Sequence, residues 1–129
     1  MSWELNVRDK FQAAHFLKDY KGKCENLHGH NWKIEVVLRG DRLNAAGVLM
    51  DFGDIKALLR NIIGRLDHQF LNELPIFAGS QPSSERIAAF VADQLQQALG
   101  DPKVRVSRVS AWESDDACAT WVVNEPSPS

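Results

Sequence analysis

Two segments near the start of the chain alternate between apolar and polar residues, and this pattern constrains the fold more than any other feature. In residues 3–16, WELNVRDKFQAAHF, the apolar residues fall mostly at odd positions, and in residues 28–39, HGHNWKIEVVLR, they fall mostly at even positions. A repeat of two residues is typical of a β-strand that buries one face. The two segments therefore predict a pair of long strands joined as an antiparallel hairpin.

Two later segments have the three-four spacing of amphipathic helices with one apolar stripe. The first is predicted to begin at an N-cap residue, Asp51, and its apolar stripe continues to Leu66. The second is predicted to begin at Ser83 or Ser84 and to end near Leu99. A loop rich in turn residues, GDRLNAAGVL, separates the first hairpin from these two helices.

The C-terminal part predicts a second hairpin, because the strand-like segments VRVSRVSAWE and ACATWVV flank a short SDD turn. The predicted order is β-β-α-α-β-β, an α+β fold with a four-stranded antiparallel sheet and both helices on one face. The bare face and edges of such a sheet predict association with further copies. We expect a single domain over residues 1–123 and a flexible tail over residues 124–129.

Composition and charge argue against several classes of function. The formal net charge of −2 predicts no nucleic-acid partner, and no apolar segment approaches membrane-spanning length. Cys24 and Cys118 are too few for a disulfide framework, so we expect a reduced, cytoplasmic setting. Cys118 lies in a strand-like run of small apolar residues and is expected to be buried.

Three of the four histidines are brought together by the predicted strand pairing. His15 ends the first strand, whereas His28 and His30 begin the second and lie two positions apart on one face. Each histidine alone would be an ordinary core or surface residue. Three together at one end of a sheet favour a Zn²⁺ ion that keeps an open coordination position. A closed structural site with Cys24 as fourth ligand is the main competing interpretation.

Three further positions are candidates for chemistry, each with a purely structural interpretation beside it. Cys24 lies in a lysine-rich loop, where cations would favour a thiolate base, although the lysines could equally form a solvated surface. Asp67 and His68 are sequence neighbours that are not expected to face each other, yet a carboxylate close to a histidine can orient a general acid or base. Glu113 could bind a ligand edge rich in N–H groups or simply be exposed.

Short motifs along the chain also occur in the order of a known family: AAH at 13–15, C-x₃-HGH at 24–30, DF at 51–52, LDH at 66–68, PSSE at 82–85 and finally Glu113. Together they resemble the 6-pyruvoyl-tetrahydropterin synthase superfamily, and most closely its bacterial 6-carboxy-tetrahydropterin synthase branch. The resemblance extends over nearly the whole chain. A single HGH or LDH would be a weak signal, whereas the ordered set is specific.

The resemblance implies a role for each matching residue. The implied zinc ligands are His15, His28 and His30. The implied catalytic residues are Cys24 as the proton-abstracting base, Asp67 and His68 as its relay, often from a neighbouring subunit, and Glu113. The implied substrate-binding residues are Glu113, which would anchor the pterin ring, and Ser83 and Ser84.

The resemblance further implies the tunnelling fold, whose subunits form a trimeric barrel, with two barrels stacking into a hexamer. The implied activity is that of a zinc-dependent carbon-oxygen lyase in queuosine and deazapurine biosynthesis. Its small-molecule substrate would be 7,8-dihydroneopterin triphosphate, and its products 6-carboxy-5,6,7,8-tetrahydropterin, acetaldehyde and triphosphate. As the charge and hydropathy already indicate, we expect no nucleic-acid or membrane partner.

Two departures from the family pattern leave more than one function open. Gln81-Pro82-Ser83 replaces the frequent Asn-Pro-Thr but keeps the hydroxyl group. Glu25 directly follows Cys24, and a related branch that resembles an aldolase feeding folate synthesis uses a glutamate in this region. Glu25 could equally be a solvent-facing carboxylate. The competing functions are therefore 6-pyruvoyl-tetrahydropterin formation, an aldolase-like reaction, and a non-catalytic structural zinc module.

Overall fold

The computed structural model describes residues 1–18 and 27–123, so Cys24, Glu25 and the predicted tail lie outside the described residues. The predicted order of strands and helices is confirmed, with one additional short strand. The elements are β1 (Trp3–His15), β2 (His28–Gly40), α1 (Phe52–Ile63), β3 (Gln69–Phe70), α2 (Ser84–Ala98), β4 (Arg105–Ser114) and β5 (Ala117–Val122). Two 3₁₀ turns, Leu71–Glu73 and Pro75–Phe77, connect β3 to α2.

The strands form one sheet in the order β3-β1-β2-β4-β5. Four of them pair antiparallel as predicted, but the sheet has five strands rather than four, because β3 adds to the free edge of β1 in parallel. β3 is only two residues long and pairs with Ala13 and Ala14. A strand of that length has no alternation to detect, so the sequence pattern could not reveal it.

Alternating residues of the sheet form the core together with the two helices. The side chains at odd positions of β1 and even positions of β2 are largely buried, as the period-two pattern predicted. The predicted helix starts are also confirmed. The Asp51 side chain accepts hydrogen bonds from the backbone amides of Gly53 and Asp54, and the Ser83 hydroxyl accepts one from Arg86.

The burial predicted for Cys118 is wrong, because this side chain is exposed. It belongs to β5, the edge strand of the sheet, and β5 has no buried residue. A run of small apolar residues predicts burial only where both faces of a strand are covered. Among the described residues, no helix is both long and apolar enough to cross a membrane.

Candidate metal centre

The pairing of β1 with β2 places three histidines at one end of the sheet. His15 lies directly opposite His28, and His30 lies opposite Ala13. The centroids of the three imidazole rings are 4.5–5.3 Å apart. The predicted hairpin therefore brings together His15, His28 and His30, which we call the histidine cluster.

Glu113, at the end of β4, extends its carboxylate into the histidine cluster. Its Oε1 atom lies 2.9 Å from Nε2 of His15, 3.0 Å from Nε2 of His30 and 3.6 Å from Nε2 of His28. One possible ligand atom from each of these four residues lies within 4.8 Å of every other. Because Zn–N and Zn–O bonds are about 2.0–2.2 Å long, such a spread is compatible with the ligand set of a single ion.

A β-bulge lies beside Glu113 at the end of β4. Trp112 pairs with Cys118 and Ser114 pairs with Ala117, so the described register gives Glu113 no cross-strand partner on β5. Glu113 lies two residues after the buried Ala111, which pairs with Ile34 of β2. Strand alternation therefore directs Glu113 to the face of the sheet that carries the cluster. The sequence indicated a ligand-binding or exposed Glu113, but it gave no sign of the contact with the three histidines, which depends on the register of β2 and β4.

The hydrogen bond of His15 fixes the tautomer that a metal ligand needs. Its Nδ1 atom lies 2.8 Å from the backbone carbonyl oxygen of Pro82. A carbonyl oxygen only accepts hydrogen bonds, so Nδ1 donates, and in the neutral ring Nε2 presents its lone pair to the cluster. A lone pair facing the Glu113 oxygen is repulsive unless a proton or a cation lies between them. The donor set therefore fits a divalent cation.

Trp32 forms the apolar floor of the histidine cluster. Its ring lies edge-on to the rings of His15 and His30, with centroids 5.1 and 5.6 Å apart, and it stacks beside Phe11. Trp32 and His15 are almost completely buried. These contacts restrict rotation of the two imidazoles and exclude water from one side of the cluster, which strengthens electrostatic interactions there.

Asp67 and His68 contact each other, contrary to the expectation for sequence neighbours. His68 Nδ1 lies 3.0 Å from Asp67 Oδ1 because His68 adopts a left-handed backbone conformation, with φ of 59°. Gln12 of β1 holds both residues: its carbonyl accepts a hydrogen bond from the His68 amide, and its amide donates one to Asp67 Oδ1. A His68 conformation of this kind is not visible in the sequence pattern.

The surroundings of Asp67 favour its ionised form. The hydrogen bond from the Gln12 amide lowers the pKa of the Asp67 carboxyl, and the nearby His68 and Arg60 lower it further. The carboxylate can therefore orient His68 through Nδ1 and leave Nε2 for proton transfer. The His68 side chain is 74% exposed, and with His30 it lines an open depression of about 510 Å³.

The two serines implied as substrate-binding residues lie at the start of α2. Ser83 directly follows Pro82, whose carbonyl contacts His15, and its hydroxyl caps the helix. Ser84 is the half-buried first residue of the helix. The structure therefore places Ser83 next to Pro82, which contacts the cluster through His15. The hydrogen bond that the Ser83 hydroxyl accepts from the Arg86 amide leaves its O–H free to donate to another group.

Two side-chain amides hold the chain where it leaves β1. The Asn72 side chain bonds both the N–H and the C=O of Phe16, and the Gln81 side chain bonds both groups of Lys18, with each of the four distances at 2.9 Å. These bonds fix the end of the strand that carries His15. The sequence did not single out Asn72, and an amide between predicted elements is too common to suggest this role.

The family to which the chain belongs is shown by its sequence. The sequence profile described as 6-pyruvoyl tetrahydropterin synthase matches residues 4–123. The chain belongs to the 6-pyruvoyl tetrahydropterin synthase family. Membership makes it an enzyme of pterin chemistry that acts on small molecules. The family recognised from the ordered motifs is therefore confirmed.

Relatives within the family carry different activities in their names. A 6-carboxy-5,6,7,8-tetrahydropterin synthase of Synechocystis is 37% identical over 101 residues, which are 74% of this chain and 77% of that protein. A dihydroneopterin monophosphate aldolase of Pyrococcus furiosus is 34% identical over 117 residues, 90% and 94% of the two chains.

The solved structure of 6-pyruvoyl tetrahydropterin synthase from Caenorhabditis elegans is similar over almost the whole chain. The TM-score is 0.84 at 25% identity, and the match covers 96% of this chain and 97% of that one. The tunnelling fold predicted from the sequence is therefore confirmed for the subunit.

Proposed function

We propose that this protein is a zinc-dependent 6-carboxy-5,6,7,8-tetrahydropterin synthase of queuosine and deazapurine biosynthesis. With one water molecule, it would convert 7,8-dihydroneopterin triphosphate to 6-carboxy-5,6,7,8-tetrahydropterin, acetaldehyde and triphosphate. The observation that carries the proposal is the convergence of His15, His28 and His30 on one point, in a chain 37% identical to a Synechocystis enzyme of that name.

The histidine cluster would hold the ion. A donor set dominated by imidazole nitrogens suits Zn²⁺ better than the oxygen-preferring Mg²⁺ or Ca²⁺. When bound, the zinc would act as a Lewis acid that polarises the oxygens of the substrate side chain. The Pro82 carbonyl supports the role of His15 as a ligand, because it holds His15 in the tautomer whose Nε2 lone pair is directed at the cluster.

The remaining residues would bind the substrate and move protons. We assign Cys24 as the base that removes a carbon-bound proton. Asp67 would keep His68 oriented through the Nδ1 contact, so that His68 Nε2 can accept or donate a proton. Glu113 would accept hydrogen bonds from the N–H groups of the pterin ring. Ser83 and Ser84 would assist it at the start of α2.

The proposal extends to the cellular compartment and the oligomeric state of the enzyme. We expect a cytoplasmic protein that works as a trimer or hexamer, in which a second copy could supply the surface facing His68. The exposed position of His68 supports a site completed by another chain.

The second candidate function is an aldolase reaction that yields 6-hydroxymethyl-dihydropterin. Two observations favour this reaction. The Pyrococcus furiosus relative named as an aldolase is 34% identical over 90% of this chain, and Glu25 stands directly beside Cys24 in the sequence.

Product analysis distinguishes the candidates. Purified, zinc-loaded protein would be incubated with 7,8-dihydroneopterin triphosphate and the products identified by mass. We expect equal amounts of 6-carboxy-tetrahydropterin, acetaldehyde and triphosphate. A 6-pyruvoyl or 6-hydroxymethyl product instead would overturn the proposal. If the 6-hydroxymethyl product forms and then disappears in Glu25→Gln, Glu25 takes part in an aldolase reaction.

The two cysteines of the chain provide a matched pair of variants. Cys24→Ala is expected to lose turnover and retain the metal, whereas Cys118→Ala, which alters an exposed residue of β5, is expected to retain both. Loss of metal in Cys24→Ala would instead make Cys24 a ligand and favour the structural zinc module.

A further inference from the structure

We propose that Lys10 of β1 and Lys33 of β2 form a binding site for a polyphosphate group on the exposed face of the sheet. The site lies outside the histidine cluster and uses none of its residues. The inference rests on the proposed function in one respect only, namely that the triphosphate of the substrate is one possible source of the bound group.

The register of the first hairpin places the two lysines side by side. Lys10 lies directly opposite Lys33, and the adjacent pair, Phe11 and Trp32, is buried in the core. Because successive residues of a strand point to opposite faces of the sheet, the two lysines extend from the face opposite the core. Both residues are exposed. Two ammonium groups therefore project together from adjacent strands.

A neighbouring pair on the same face has the usual complementary charges. Arg8 lies opposite Glu35, and the Arg8 guanidinium and the Glu35 carboxylate are 2.7 Å apart. Like charges in directly opposite positions destabilise a sheet, since the Cβ atoms of such pairs are only about 4.5–5.5 Å apart. The pairing of Lys10 with Lys33 therefore costs stability that a bound anion would restore. Local conflicts of this kind are expected at functional sites.

The carboxylates around the two lysines have partners of their own. Asp9 contacts Arg60 at 3.4 Å, Asp67 contacts His68 at 3.0 Å, and Asp115 contacts Lys33 at 3.6 Å. The Asp115 side chain is 94% exposed, so water screens its contact with Lys33. The Lys10 ammonium makes no ion pair or hydrogen bond with another residue in the described ranges 1–18 and 27–123. Much of the positive charge of the pair is therefore left for a ligand.

The two lysines line an open depression of about 510 Å³ that also contains neutral hydrogen-bond donors. Gln12 and Asn31 lie opposite each other on the same face, and each side-chain amide can donate two hydrogen bonds. His68 lines this depression as well as the one beside His30. Lysine binds phosphate as a point charge, and two adjacent lysines match an anion that carries several charges. The chemistry of the site therefore fits a polyphosphate.

Binding of inorganic triphosphate tests the site without any turnover. We would compare Lys10→Gln/Lys33→Gln with Lys56→Gln/Lys103→Gln, which removes the same charge from exposed positions outside the depression. Equilibrium dialysis of the zinc-loaded proteins at low ionic strength should show binding at least about tenfold weaker in the first variant. Both variants keep the histidine cluster, so any triphosphate that binds the metal contributes equally to the two. Metal analysis after dialysis checks that zinc is retained.

Neopterin and neopterin triphosphate distinguish the two sources of the bound group. Neopterin has no phosphate and should bind equally to both double variants. Weaker binding of neopterin triphosphate to Lys10→Gln/Lys33→Gln would assign the site to the tail of the substrate. Equal binding of neopterin triphosphate, together with weaker binding of free triphosphate, would assign the site to the free anion.

Thermal unfolding gives a second readout that an ordinary surface lysine would not change. Triphosphate should raise the unfolding midpoint of the control variant more than that of Lys10→Gln/Lys33→Gln, because a ligand stabilises the folded state that binds it. Without an anion at low salt, Lys10→Gln alone should be more stable than wild type, since the repulsion across the hairpin is removed. Lys56→Gln should show no such gain.

Two results would overturn the proposal. Equal affinity of the two double variants for triphosphate would show that the lysine pair is not a site. Sulfate binding as tightly as triphosphate would make the pair a non-specific cationic surface. Failure of the proposed function would appear instead in the product analysis, which does not depend on these binding measurements.

Discussion

The histidine cluster and the Asp67–His68 pair are built in opposite ways. The cluster joins residues from separate strands through sheet register, and its His15 is 2% exposed. The pair joins sequence neighbours through the left-handed backbone of His68, whose side chain is 74% exposed. The register of the sheet thus fixes the groups suited to holding an ion. The groups suited to moving protons are attached to the edge of the sheet through Gln12.

The largest expected effect is on zinc affinity, which should fall when the cluster loses an imidazole but not when the Asp67–His68 pair loses one. His30→Ala removes a nitrogen donor, so we expect zinc affinity to fall more than about 100-fold, beyond the effect of outer-sphere changes. His68→Ala should retain wild-type affinity, because His68 takes no part in the cluster. Chelator competition and metal analysis of both purified variants measure this. Unchanged affinity in His30→Ala would contradict the assignment of the cluster.

Turnover should respond to the Asp67–His68 pair even though the metal content does not. His68→Ala should lower kcat by roughly 10²–10⁴-fold, the usual contribution of a general acid or base, while metal content stays unchanged. Steady-state kinetics with the metal-loaded variant, and the pH profile of kcat, measure the effect. A His68→Ala enzyme with normal kcat would remove the pair from the mechanism and leave its contact with Asp67 purely structural.

Asn72→Ala tests how far the cluster depends on distant contacts. The Asn72 side chain makes two hydrogen bonds with the backbone of Phe16, directly after His15. Their loss should lower the free energy of unfolding by about 1–3 kcal/mol, since each bond is worth about 0.5–1.5 kcal/mol. Urea denaturation of the metal-free protein measures it, with the exposed Asn61→Ala as control. Equal stability of the two variants would show that these bonds do not support the strand end.

The smallest effect should come from Asp67→Asn. The Gln12 hydrogen bond lowers the pKa of Asp67 in the folded protein, so the folded state binds this proton less readily than the unfolded state. The resulting stability is present above the unfolded pKa of about 3.9 and is lost as pH falls through the lower folded value.

Thermal unfolding of the metal-free protein between neutral and acidic pH measures how much stability the ionised Asp67 carboxylate contributes. Asp67→Asn should be less stable than wild type near neutral pH, and the gap should close as pH falls below about 4. Asp41→Asn, at an exposed position after β2, is the control. A gap that stays constant or widens on acidification would mean that the Asp67 charge does not support the fold.

Much of the subunit was predictable because its signals are local or periodic. The period-two alternation specified β1, β2 and their buried faces, and Asp51 and Ser83 marked the helix starts by their capping chemistry. The histidine cluster followed from the same alternation, since a hairpin necessarily joins the end of one strand to the start of the next.

The remaining features depend on long-range register or on backbone conformation. The approach of Glu113 requires the pairing of β2 with β4 in one particular register. The contact between Asp67 and His68 requires a left-handed residue that is not glycine. Neither has a repeating pattern in the sequence. Burial of Cys118 was predicted from a strand-like run of small apolar residues, and the prediction is wrong because β5 is an edge strand.

Zinc K-edge X-ray absorption of the purified, zinc-loaded protein tests the central claim most directly. If His15, His28 and His30 hold the ion, the spectrum should show scattering from three imidazoles at about 2.0–2.1 Å, with the remaining coordination supplied by oxygen and no sulfur at about 2.3 Å. A spectrum with fewer than three imidazoles, or with a sulfur ligand from cysteine, would contradict the account.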